Sequence, residues 1–465
     1  MFFRQVLYGD LGCASYMLGD AGEAVVVDPR WDIDVYLETA RAEQLTITHA
    51  IETHDHADHV SGRPALVAAT GARSHRPDLN LTAVDERIGT DHISPGEEIA
   101  VGALRIRAIP TPGHRPEHLT FAVVDLSRSD EPWLLLSGDS LLVGDIARPD
   151  LAYEKAADGA RALHGSLQSL LALGDHIEVW PAHVGGSLCG GAGLSGKTSF
   201  TVGFERRNNP LLMMDQSQFV DGLTASLPPR PPNVDRIVGL NRRADLQAAP
   251  GAPVALDGEL LCELLQAGVT VLDSRLPDQF DAGHLAGAIN LPVSSPGVGT
   301  RAGWALEPNE RIVVVAQDRA AAREMTRALQ AVGFWALAGY AIADRGAWER
   351  CELPVAEADS WDLDQLAAGI RGDAIELVDV RELEEWTTGH IRGSHHVPLN
   401  RLREVRAVSI PENGRTTAVA CAAGIRAAFA ASLLRRAGRR DVVRVAGGGV
   451  PDLSRRGFIL ELGLD

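Results

Sequence analysis

The seven residues 53–59 constrain the fold of this chain more than any other stretch. They contain three histidines and two aspartates, and they follow an apolar segment, residues 47–51, that reads as the end of a strand. Imidazole and carboxylate groups on a short loop between a strand and a helix can converge on one point, and together they suit zinc, iron or manganese. The stretch therefore predicts a metal site at a strand end. The simpler interpretation is a polar loop that happens to be rich in histidine.

Three further strand ends each add one candidate ligand. Apolar segments that read as strands end shortly before each of these residues: His114, Asp139 and His183. A single histidine or aspartate in such a position is more often a turn or cap residue. Taken together with the first cluster, the three favour side chains that meet at one edge of a sheet. The alternation of short strands and helices over the first half indicates an α/β architecture.

Composition excludes several classes of function. The 465 residues are 45% hydrophobic, which supports several sizeable domains, and 62 acidic against 44 basic residues give a net charge of −18. This charge argues against nucleic acid or an anionic membrane surface as a partner. No apolar run approaches the roughly 18 residues of a membrane span, and the N-terminus lacks the apolar core of a signal peptide. The five cysteines form no Cys-x-x-Cys pair, so we expect a reduced, cytoplasmic protein.

The first half of the sequence resembles the metallo-β-lactamase superfamily, an αββα sandwich with metal at one edge. The resemblance implies seven ligand positions in this chain: His54, His56, Asp58, His59, His114, Asp139 and His183. A zinc hydrolase of the glyoxalase II type uses all seven positions for two metals. The ligand inventory alone leaves this alternative open.

A persulfide dioxygenase, which is similar in sequence, holds one Fe(II) per chain through the equivalents of His54, His114 and Asp139. Two histidines and one carboxylate with open positions suit non-haem iron and dioxygen. The remaining four positions are then residues around the ligands, or ligands of a second metal, and Asp58 is the candidate for handling a proton.

Features further along the first half favour the dioxygenase. Arg148 and Asp150 form an Arg-x-Asp pair like that of persulfide dioxygenases, in which the arginine contacts substrate or orients the surroundings of the metal. A structural salt bridge is the alternative. Cys189, in a glycine-rich segment, either stages sulfane sulfur or fills space as a small apolar residue. Lys197 is a tentative contact for an anionic thiol carrier, the alternative being a solvated surface position.

The second half contains an internal repeat. Asp273 and Arg275 recur 106 positions later as Asp379 and Arg381, and a Gly-His-x-x-Gly pattern follows each pair. Each copy alternates helices with buried strands, which predicts a parallel sheet with flanking helices. The pattern resembles the rhodanese domain.

In the second copy, Cys421 follows a strand and opens a loop that leads into a helix near Ala427. Backbone N–H groups and a helix N-terminus stabilise a thiolate or the outer sulfur of a persulfide at such a place. The predicted cradle is Ala422, Ala423, Gly424, Ile425 and Arg426. Arg426 adds positive charge. A buried inert cysteine is the alternative.

The first copy has no cysteine in the equivalent place, which reads Ala316-Gln317-Asp318-Arg319-Ala320. The Asp318 carboxylate would repel a thiolate. We therefore expect this copy to be non-catalytic and to act as a spacer, a dimer surface or a docking element.

Together the two halves resemble bacterial fusions of a persulfide dioxygenase with a sulfurtransferase. We expect a metallo-β-lactamase-fold domain over residues 1–247, a cysteine-free rhodanese-like domain over 248–355 and a catalytic rhodanese domain over 356–465. The resemblance implies oxidation of thiol persulfides by dioxygen to sulfite on iron, and sulfur transfer through Cys421 that forms or uses thiosulfate. The alternatives are a zinc thioester hydrolase with appended sulfurtransferase domains, and a regulatory sulfur carrier. The resemblance also implies a homo-oligomer, and it leaves the thiol carrier open among glutathione, coenzyme A, mycothiol and bacillithiol.

Overall fold

A computed structural model describes residues 1–77, 90–185, 187, 189–190, 194–225, 227, 229–246, 248, 251–404, 410–411 and 413–463. The chain divides into two compact units, Met1–Gly251 with Gln330–Gly333, and Ala252–Leu329 with Phe334–Asp465. The expected domain boundary at residue 247 lies outside the described residues. No described helix is both long enough and apolar enough to span a bilayer.

The first unit alternates strands and helices. In chain order the elements are β1 (Phe2–Tyr8), β2 (Cys13–Asp20), β3 (Glu23–Val27), α1 (Asp34–Ala42), β4 (Thr46–Ile51), α2 (Arg63–Thr70), β5 (Arg73–Pro77), β6 (Asp91–Ile93), β7 (Glu98–Val101), β8 (Leu104–Pro110), β9 (Leu119–Asp125), β10 (Leu134–Gly138), β11 (Leu141–Leu142), β12 (Asp145–Ile146), α3 (Ala156–Leu171), β13 (Glu178–Pro181), β14 (Phe200–Thr201), α4 (Val202–Asn208), a 3-10 helix (Pro210–Met213), α5 (Gln216–Thr224) and α6 (Val234–Arg242).

Two six-stranded sheets form the middle of this unit, in the orders β1-β2-β3-β4-β5-β6 and β14-β13-β10-β9-β8-β7. Their facing sides share one core, to which Tyr16, Val27 and Ile51 contribute from the first sheet and Phe121 and Leu136 from the second. Helix α2 packs on the first sheet, and α3 and α5 cover the outer face of the second. This arrangement confirms the αββα sandwich expected from the sequence.

Local sequence explains the tight connections that set the register. Strands β2 and β3 pair antiparallel with Asp20 opposite Glu23. The two residues between them, Ala21 and Gly22, both have positive φ, of 52° and 84°. That conformation matches the right-handed twist of a two-residue hairpin.

The second unit contains the repeat. From Ala252 onward the elements are α7 (Gly258–Gln266), β15 (Thr270–Asp273), α8 (Pro277–Asp281), β16 (His284–Leu285), β17 (Ile289–Asn290), α9 (Val298–Ala302), β18 (Ile312–Ala316), α10 (Arg319–Ala331), β19 (Leu337–Ile342), α11 (Arg345–Arg350), β20 (Val355–Ala356), β21 (Ser360–Trp361), α12 (Leu363–Arg371), β22 (Ile375–Asp379), α13 (Leu383–Thr387), β23 (His395–His396), a 3-10 helix (Leu399–Glu404), β24 (Thr416–Ala420), α14 (Ile425–Arg436), β25 (Val442–Val445) and a 3-10 helix (Val450–Arg456).

Each copy of the repeat has its own parallel sheet, in the orders β17-β15-β18-β19 and β21-β25-β24-β22-β23. This confirms the predicted parallel sheets. Helix α14 is rich in alanine and is buried along most of its length, because it lies on β24 and β25 of its own copy and also against β17 of the first copy. Short side chains permit such close packing on two sides.

Candidate functional site

The seven candidate metal ligands lie where strands of the sandwich end. The first four follow β4, His114 follows β8, Asp139 comes directly after β10, and His183 follows β13. Strands β10 and β13 are parallel neighbours, with Gly138 opposite Pro181, so Asp139 and His183 emerge side by side. The structure therefore brings all the strand-end candidates to one edge of the sandwich, where every one of the histidines is buried.

His54, His114 and Asp139 form the most compact group. Their donor atoms all lie within 4.8 Å of one another, and the Asp139 Oδ2 atom is 3.8 Å from His54 Nε2 and 3.4 Å from His114 Nε2. All three side chains are at most 1% exposed. None of these three atoms has a hydrogen-bond partner in the described structure. Buried polar atoms without partners are costly, and a cation bound by two imidazoles and a carboxylate would satisfy all three.

A hydrogen-bonded chain fixes the protonation of His54. The Asp28 carboxylate accepts from the Thr53 backbone N–H at 2.7 Å and from the Thr53 hydroxyl at 2.9 Å. Since that hydroxyl has given its proton to Asp28, it accepts from His54 Nδ1–H at 2.9 Å. The His54 Nε2 atom is then left with a free lone pair, which is the form that binds metal. Burial lowers the pKa of His54 well below its usual value, which keeps the ring neutral.

His114 is held in the same way by a different group. Its Nδ1–H donates to the backbone carbonyl of Arg148 at 2.9 Å, which leaves Nε2 for a ligand. The Arg148 guanidinium forms two hydrogen bonds of 2.7 Å with the Asp150 carboxylate. The predicted substrate contact Arg148 is therefore placed beside the triad, in a buried ion pair, with its backbone supporting a ligand.

Sequence reasoning missed His118, which positions Asp139. The His118 Nε2 atom accepts the Asp139 backbone N–H at 2.8 Å, and its Nδ1–H faces the Thr111 hydroxyl at 2.8 Å. Burial lowers the pKa of His118 to about 3, so the ring stays neutral and keeps the acceptor. The signal in the sequence was a second histidine four residues after His114.

The other four candidates surround the triad. His183 Nε2 lies 3.2 Å from Asp139 Oδ2 and 3.7 Å from Asp58 Oδ2. His59 Nδ1 pairs with Asp58 Oδ1 at 3.0 Å. Although burial opposes ionisation, the histidines at 59 and 183 hold the pKa of Asp58 well below its usual range. Asp58 is therefore a carboxylate in contact with two imidazoles.

His56 lies beside the triad, with its ring centroid 4.3 Å from that of His54, and it contacts Asp28. Its Nε2 atom lies 3.2 Å from Asp28 Oδ1. Burial disfavours the imidazolium, but the Asp28 carboxylate outweighs it and raises the pKa of His56 to about 9. Asp28 thus supports two histidines of the cluster, and it adopts a left-handed backbone conformation with φ of 52° to do so.

Two buried thiols border the cluster. Cys189 lies with Asp58 and His183, and Cys13 lies with Asp58 and His59, in groups whose donor atoms are within 4.8 Å. Burial raises the pKa of Cys189 to about 11. The predicted position of Cys189 near the metal ligands is therefore what the structure shows. Cys13 reaches the site because it is paired across a β-bridge with His183.

Lys197 lies elsewhere in the first unit. It lines a groove of about 410 Å³ at the edge strand β14, together with Glu178, Trp180, Phe200 and Phe204. The groove combines a cation with aromatic side chains. Lys197 is not among the residues that surround the triad.

The second site lies in the second copy of the repeat. Cys421 follows β24, is 2% exposed, and its Sγ atom accepts the Gly424 backbone N–H at 3.0 Å. Gly424 has φ of 91°, which lets the loop turn into α14 at Ile425, two residues earlier than predicted. Gly449 packs on the loop so closely that a Cβ there would lie 1.9 Å from the Cys421 carbonyl oxygen. Sequence reasoning missed this glycine.

Arg426 is fixed beside the loop by Glu385. Its guanidinium forms hydrogen bonds of 2.5 and 2.6 Å with the two carboxylate oxygens. Burial opposes the charge, but Glu385 outweighs it and raises the pKa of Arg426. The arginine therefore holds a permanent charge in a defined place at the start of α14.

The first copy preserves the scaffold without the nucleophile. Arg275 bonds Asp273 at 2.9 and 2.6 Å and the Gly283 carbonyl at 2.9 Å. Arg381 of the second copy makes the matching bonds to Asp379 at 2.9 and 2.6 Å and to a glycine carbonyl at 2.8 Å. The repeat found in the sequence is thus a structural repeat.

Comparison with known proteins agrees with this division. A model of the metallo-beta-lactamase superfamily matches residues 8–183, and a rhodanese-like domain model matches residues 258–343 and 362–454. Persulfide dioxygenase ETHE1, mitochondrial, of Homo sapiens is 30% identical over 243 residues, which are 50% of this chain and 84% of that protein. The chain belongs to the family of persulfide dioxygenase–rhodanese fusions.

Two further similarities bear on this fusion. The crystal structure of a metallo-beta-lactamase from Staphylococcus aureus subsp. aureus COL is 29% identical, with a TM-score of 0.65, and covers 74% of this chain and 99% of that one. A hydroxyacylglutathione hydrolase of Polaromonas sp. is 34% identical over 126 residues, which are 26% of this chain and 44% of that protein. The fusion is therefore an enzyme whose first domain is similar to both dioxygenases and hydrolases.

Proposed function

We propose that this fusion oxidises low-molecular-weight thiol persulfides with dioxygen in its first domain and transfers sulfane sulfur in its last. The persulfide R–S–SH, dioxygen and water give the thiol R–SH, sulfite and two protons. Cys421 takes sulfane sulfur from a second persulfide to form Cys421–S–SH and releases a thiol. Transfer of that sulfur to sulfite regenerates the Cys421 thiol and gives thiosulfate.

The observation that carries the first step is the set of three unpartnered atoms on His54, His114 and Asp139. Two imidazoles and one carboxylate fit a single Fe(II) with open positions. Iron, when bound, supplies the dioxygen chemistry that side chains lack. The similarity to persulfide dioxygenase ETHE1 supports this metal and this substrate class.

Hydrogen bonds from neighbouring residues orient the three ligands His54, His114 and Asp139. The Thr53 hydroxyl and the Arg148 carbonyl fix which nitrogen of His54 and His114 carries the proton. His118 fixes the backbone of Asp139. Because the triad is buried, water is largely excluded, and side chains set before substrate arrives need little rearrangement.

The sulfur-transfer step rests on the Cys421 loop. The Gly424 N–H points at Sγ, and Arg426 at the start of α14 adds positive charge. The thiolate is the reacting form in thiol exchange, and the loop presents an N–H donor and a guanidinium to the sulfur that reacts. The same groups stabilise the outer sulfur of a persulfide and attract the sulfite anion.

Further parts of the proposal concern boundaries and surroundings. We place the three domains at residues 1–247, 248–355 and 356–465. The unpaired cysteines suit a reducing cytoplasm, and the assembly is a homo-oligomer. The thiol carrier is a small anionic thiol such as glutathione or coenzyme A.

Oxygen uptake tests the proposal most directly. Anaerobically purified protein is given a thiol persulfide, and iron and zinc are counted per chain in the same sample. We expect one iron per chain and persulfide-dependent uptake that is lost in His114→Ala and kept in Cys421→Ser. Two zinc ions, absence of uptake and cleavage of a thioester would overturn it.

The hydrolase alternative is favoured by one observation. All seven ligand positions of a two-metal hydrolase are present and clustered, and Asp58, His59 and His183 lie beside the triad. The same metal count therefore decides between the two functions.

A further inference from the structure

Helix α6 (Val234–Arg242) has no role in the proposed function, although its side chains contact the loop that carries the first metal candidates. We call residues 53–61 the metal loop. The helix lies beyond residues 8–183, the part of the chain that matches the metallo-beta-lactamase superfamily model. Its contacts with the metal loop are polar at its C-terminal end and apolar along its buried face.

Asn241 makes the central contact. Its amide N–H groups donate to the backbone carbonyls of His56 and His59 at 3.0 Å each. Its amide oxygen accepts the Ser61 backbone N–H at 2.8 Å. The residue is only 4% exposed. Both donors and the acceptor of the amide are therefore in use, and one side chain satisfies three backbone groups of a buried loop.

This arrangement requires an asparagine. Carbonyl oxygens only accept hydrogen bonds, so the group that faces His56 and His59 must donate twice, while the group that faces Ser61 must accept. An aspartate has no N–H to offer and would place negative charge against two carbonyl oxygens. A leucine of similar shape has neither a donor nor an acceptor, and burial of polar groups without partners is costly.

Two further contacts of α6 hold the same loop. The Arg242 Nε–H donates to the Asp55 carboxylate at 2.7 Å, and Arg76 pairs with the other oxygen of that carboxylate. Ala57 packs with two valines of the buried face of α6 in one cluster. Residues 55, 56, 57, 59 and 61 of the metal loop are therefore all held by one helix.

The backbone that Asn241 holds leads to a ligand of the triad. The His56 carbonyl is bound by Asn241, and the His56 ring contacts Asp28 at 3.2 Å. Asp28 accepts from the Thr53 hydroxyl, which selects the metal-binding form of His54. A shift of the loop at His56 is therefore transmitted to His54 through successive hydrogen bonds.

We propose that Asn241 is a positioning residue of the metal site, that Arg242 assists it, and that α6 is a part of this site. Asn241 sets the backbone over residues 56–61 and thereby the placement of His54 and Asp58. The proposal rests on the metal site proposed at the triad, and it holds whether the bound metal serves oxidation or hydrolysis.

Metal binding and stability are measured separately in the parent, Asn241→Asp, Arg242→Gln and Asn208→Asp. Asn208 is exposed on α4, where its amide donates to the Phe204 carbonyl, so it undergoes the same chemical change away from the loop. Metal-free protein is titrated with Co²⁺, whose visible absorption bands report the geometry of its ligands. Competition with a chelator gives the Co²⁺ affinity, and urea unfolding of the metal-free proteins gives their stability.

We expect the Co²⁺ affinity to fall by about 10- to 100-fold in Asn241→Asp, the range for outer partners of metal ligands, and the absorption bands to change. Arg242→Gln should weaken binding by less, because Arg76 still pairs with Asp55. Asn208→Asp should match the parent. If Asn241→Asp does not fold, Arg242→Gln decides, since the Arg242 side chain is 39% exposed and its replacement leaves the core intact.

Parent affinity and parent absorption bands in folded Asn241→Asp would overturn the proposal, as would parent affinity in Arg242→Gln if only that variant folds. A lower free energy of unfolding with unchanged Co²⁺ binding would show that Asn241 is only structural. A parent that binds metal but consumes no oxygen would refute the dioxygenase and leave this role of Asn241 standing. A parent that binds no metal would refute both.

Discussion

Thr53 lies between Asp28 and His54 so that its hydroxyl gives its proton to the first and accepts from the second, at 2.9 Å in both cases. Removing that hydroxyl removes the group that selects the metal-binding form of His54. We therefore expect Thr53→Val to weaken metal binding at the triad by about 10- to 100-fold, as for other partners of metal ligands. Thr53→Ser keeps the hydroxyl and should bind the metal like the parent. Competition with a chelator measures the metal affinity of both variants. Equal affinities in Thr53→Val and Thr53→Ser would contradict this role of the Thr53 hydroxyl.

The sequence predicts those parts of the site that depend on neighbouring residues in the chain, and it does not predict contacts between distant segments. His54, His114, Asp139 and His183 each follow a strand, and strand ends are readable from apolar runs. Their supporting partners are not, because contacts such as Thr53 with Asp28 join segments that are distant in the chain. The same holds for Gly449, whose closeness to Cys421 arises from the fold alone.

The pair of His49 and His75 predicts an acid-sensitive first unit. The His49 Nδ1 and His75 Nε2 atoms lie 2.9 Å apart, and burial together with His49 lowers the pKa of His75 to about 4. The unfolded chain binds this proton near pH 6.5. The contribution of neutral His75 to the free energy of unfolding is therefore intact above pH 6.5 and is lost as the pH falls from 6.5 to 4.

We expect the metal-free protein to lose about 2 kcal/mol from this residue over that range, after a discount for partial solvent screening. His75→Gln should flatten this part of the stability profile. His92→Gln changes an exposed histidine nearby and should not. Denaturant unfolding at pH 7 and pH 4.5 compares the three proteins, and parallel profiles in the parent and His75→Gln would refute the assignment.

Arg444 ties the two copies of the repeat together. It lies within the buried strand β25 of the second copy, and its guanidinium pairs with Asp281 and Asp278 of the first copy. Removing one member of a buried ion pair leaves the other charge uncompensated and costs about 3–5 kcal/mol. We expect Arg444→Met to lower the free energy of unfolding by about this amount.

The double variant Arg444→Met with Asp281→Asn should recover a substantial part of that loss, since the stranded carboxylate is then gone. Urea unfolding of the two single variants and the double variant completes the cycle. If the loss of unfolding free energy in the double variant equals the sum of the losses in the two single variants, the two side chains do not interact.

Arg426 and Glu385 form the double hydrogen bond that places a positive charge beside Cys421. A lysine cannot form this fork. We expect Arg426→Lys to reduce sulfur transfer from thiosulfate to cyanide by about tenfold, the effect of roughly 1.4 kcal/mol. Persulfide-dependent oxygen uptake is the internal control and should stay at the parent level. An unchanged transfer rate would show that the fork is only structural.

The loop of the first copy differs from the second in length as well as in chemistry. Two residues, Gln317 and Asp318, separate β18 from α10, whereas four residues separate β24 from α14. The longer loop contains the left-handed Gly424 that turns its N–H toward sulfur. Ala316 follows Val315, the strand partner of Asp273, as Cys421 follows Ala420, the strand partner of Asp379. A thiol at 316 would lack that turn and would have the Asp318 carboxylate two residues away.

We therefore expect Ala316→Cys to gain no sulfur transfer in a Cys421→Ser background, even though the Asp273 and Arg275 scaffold is intact. Transfer from thiosulfate to cyanide measures the activity, and mass spectrometry after incubation with thiosulfate shows whether the new thiol takes up sulfur. Activity in this variant would mean that the missing cysteine alone accounts for the inactivity of the first copy and that Asp318 does not prevent transfer. If the variant transfers no sulfur although its new thiol can still be alkylated, the inactivity of the first copy is due to its shorter loop and the Asp318 carboxylate.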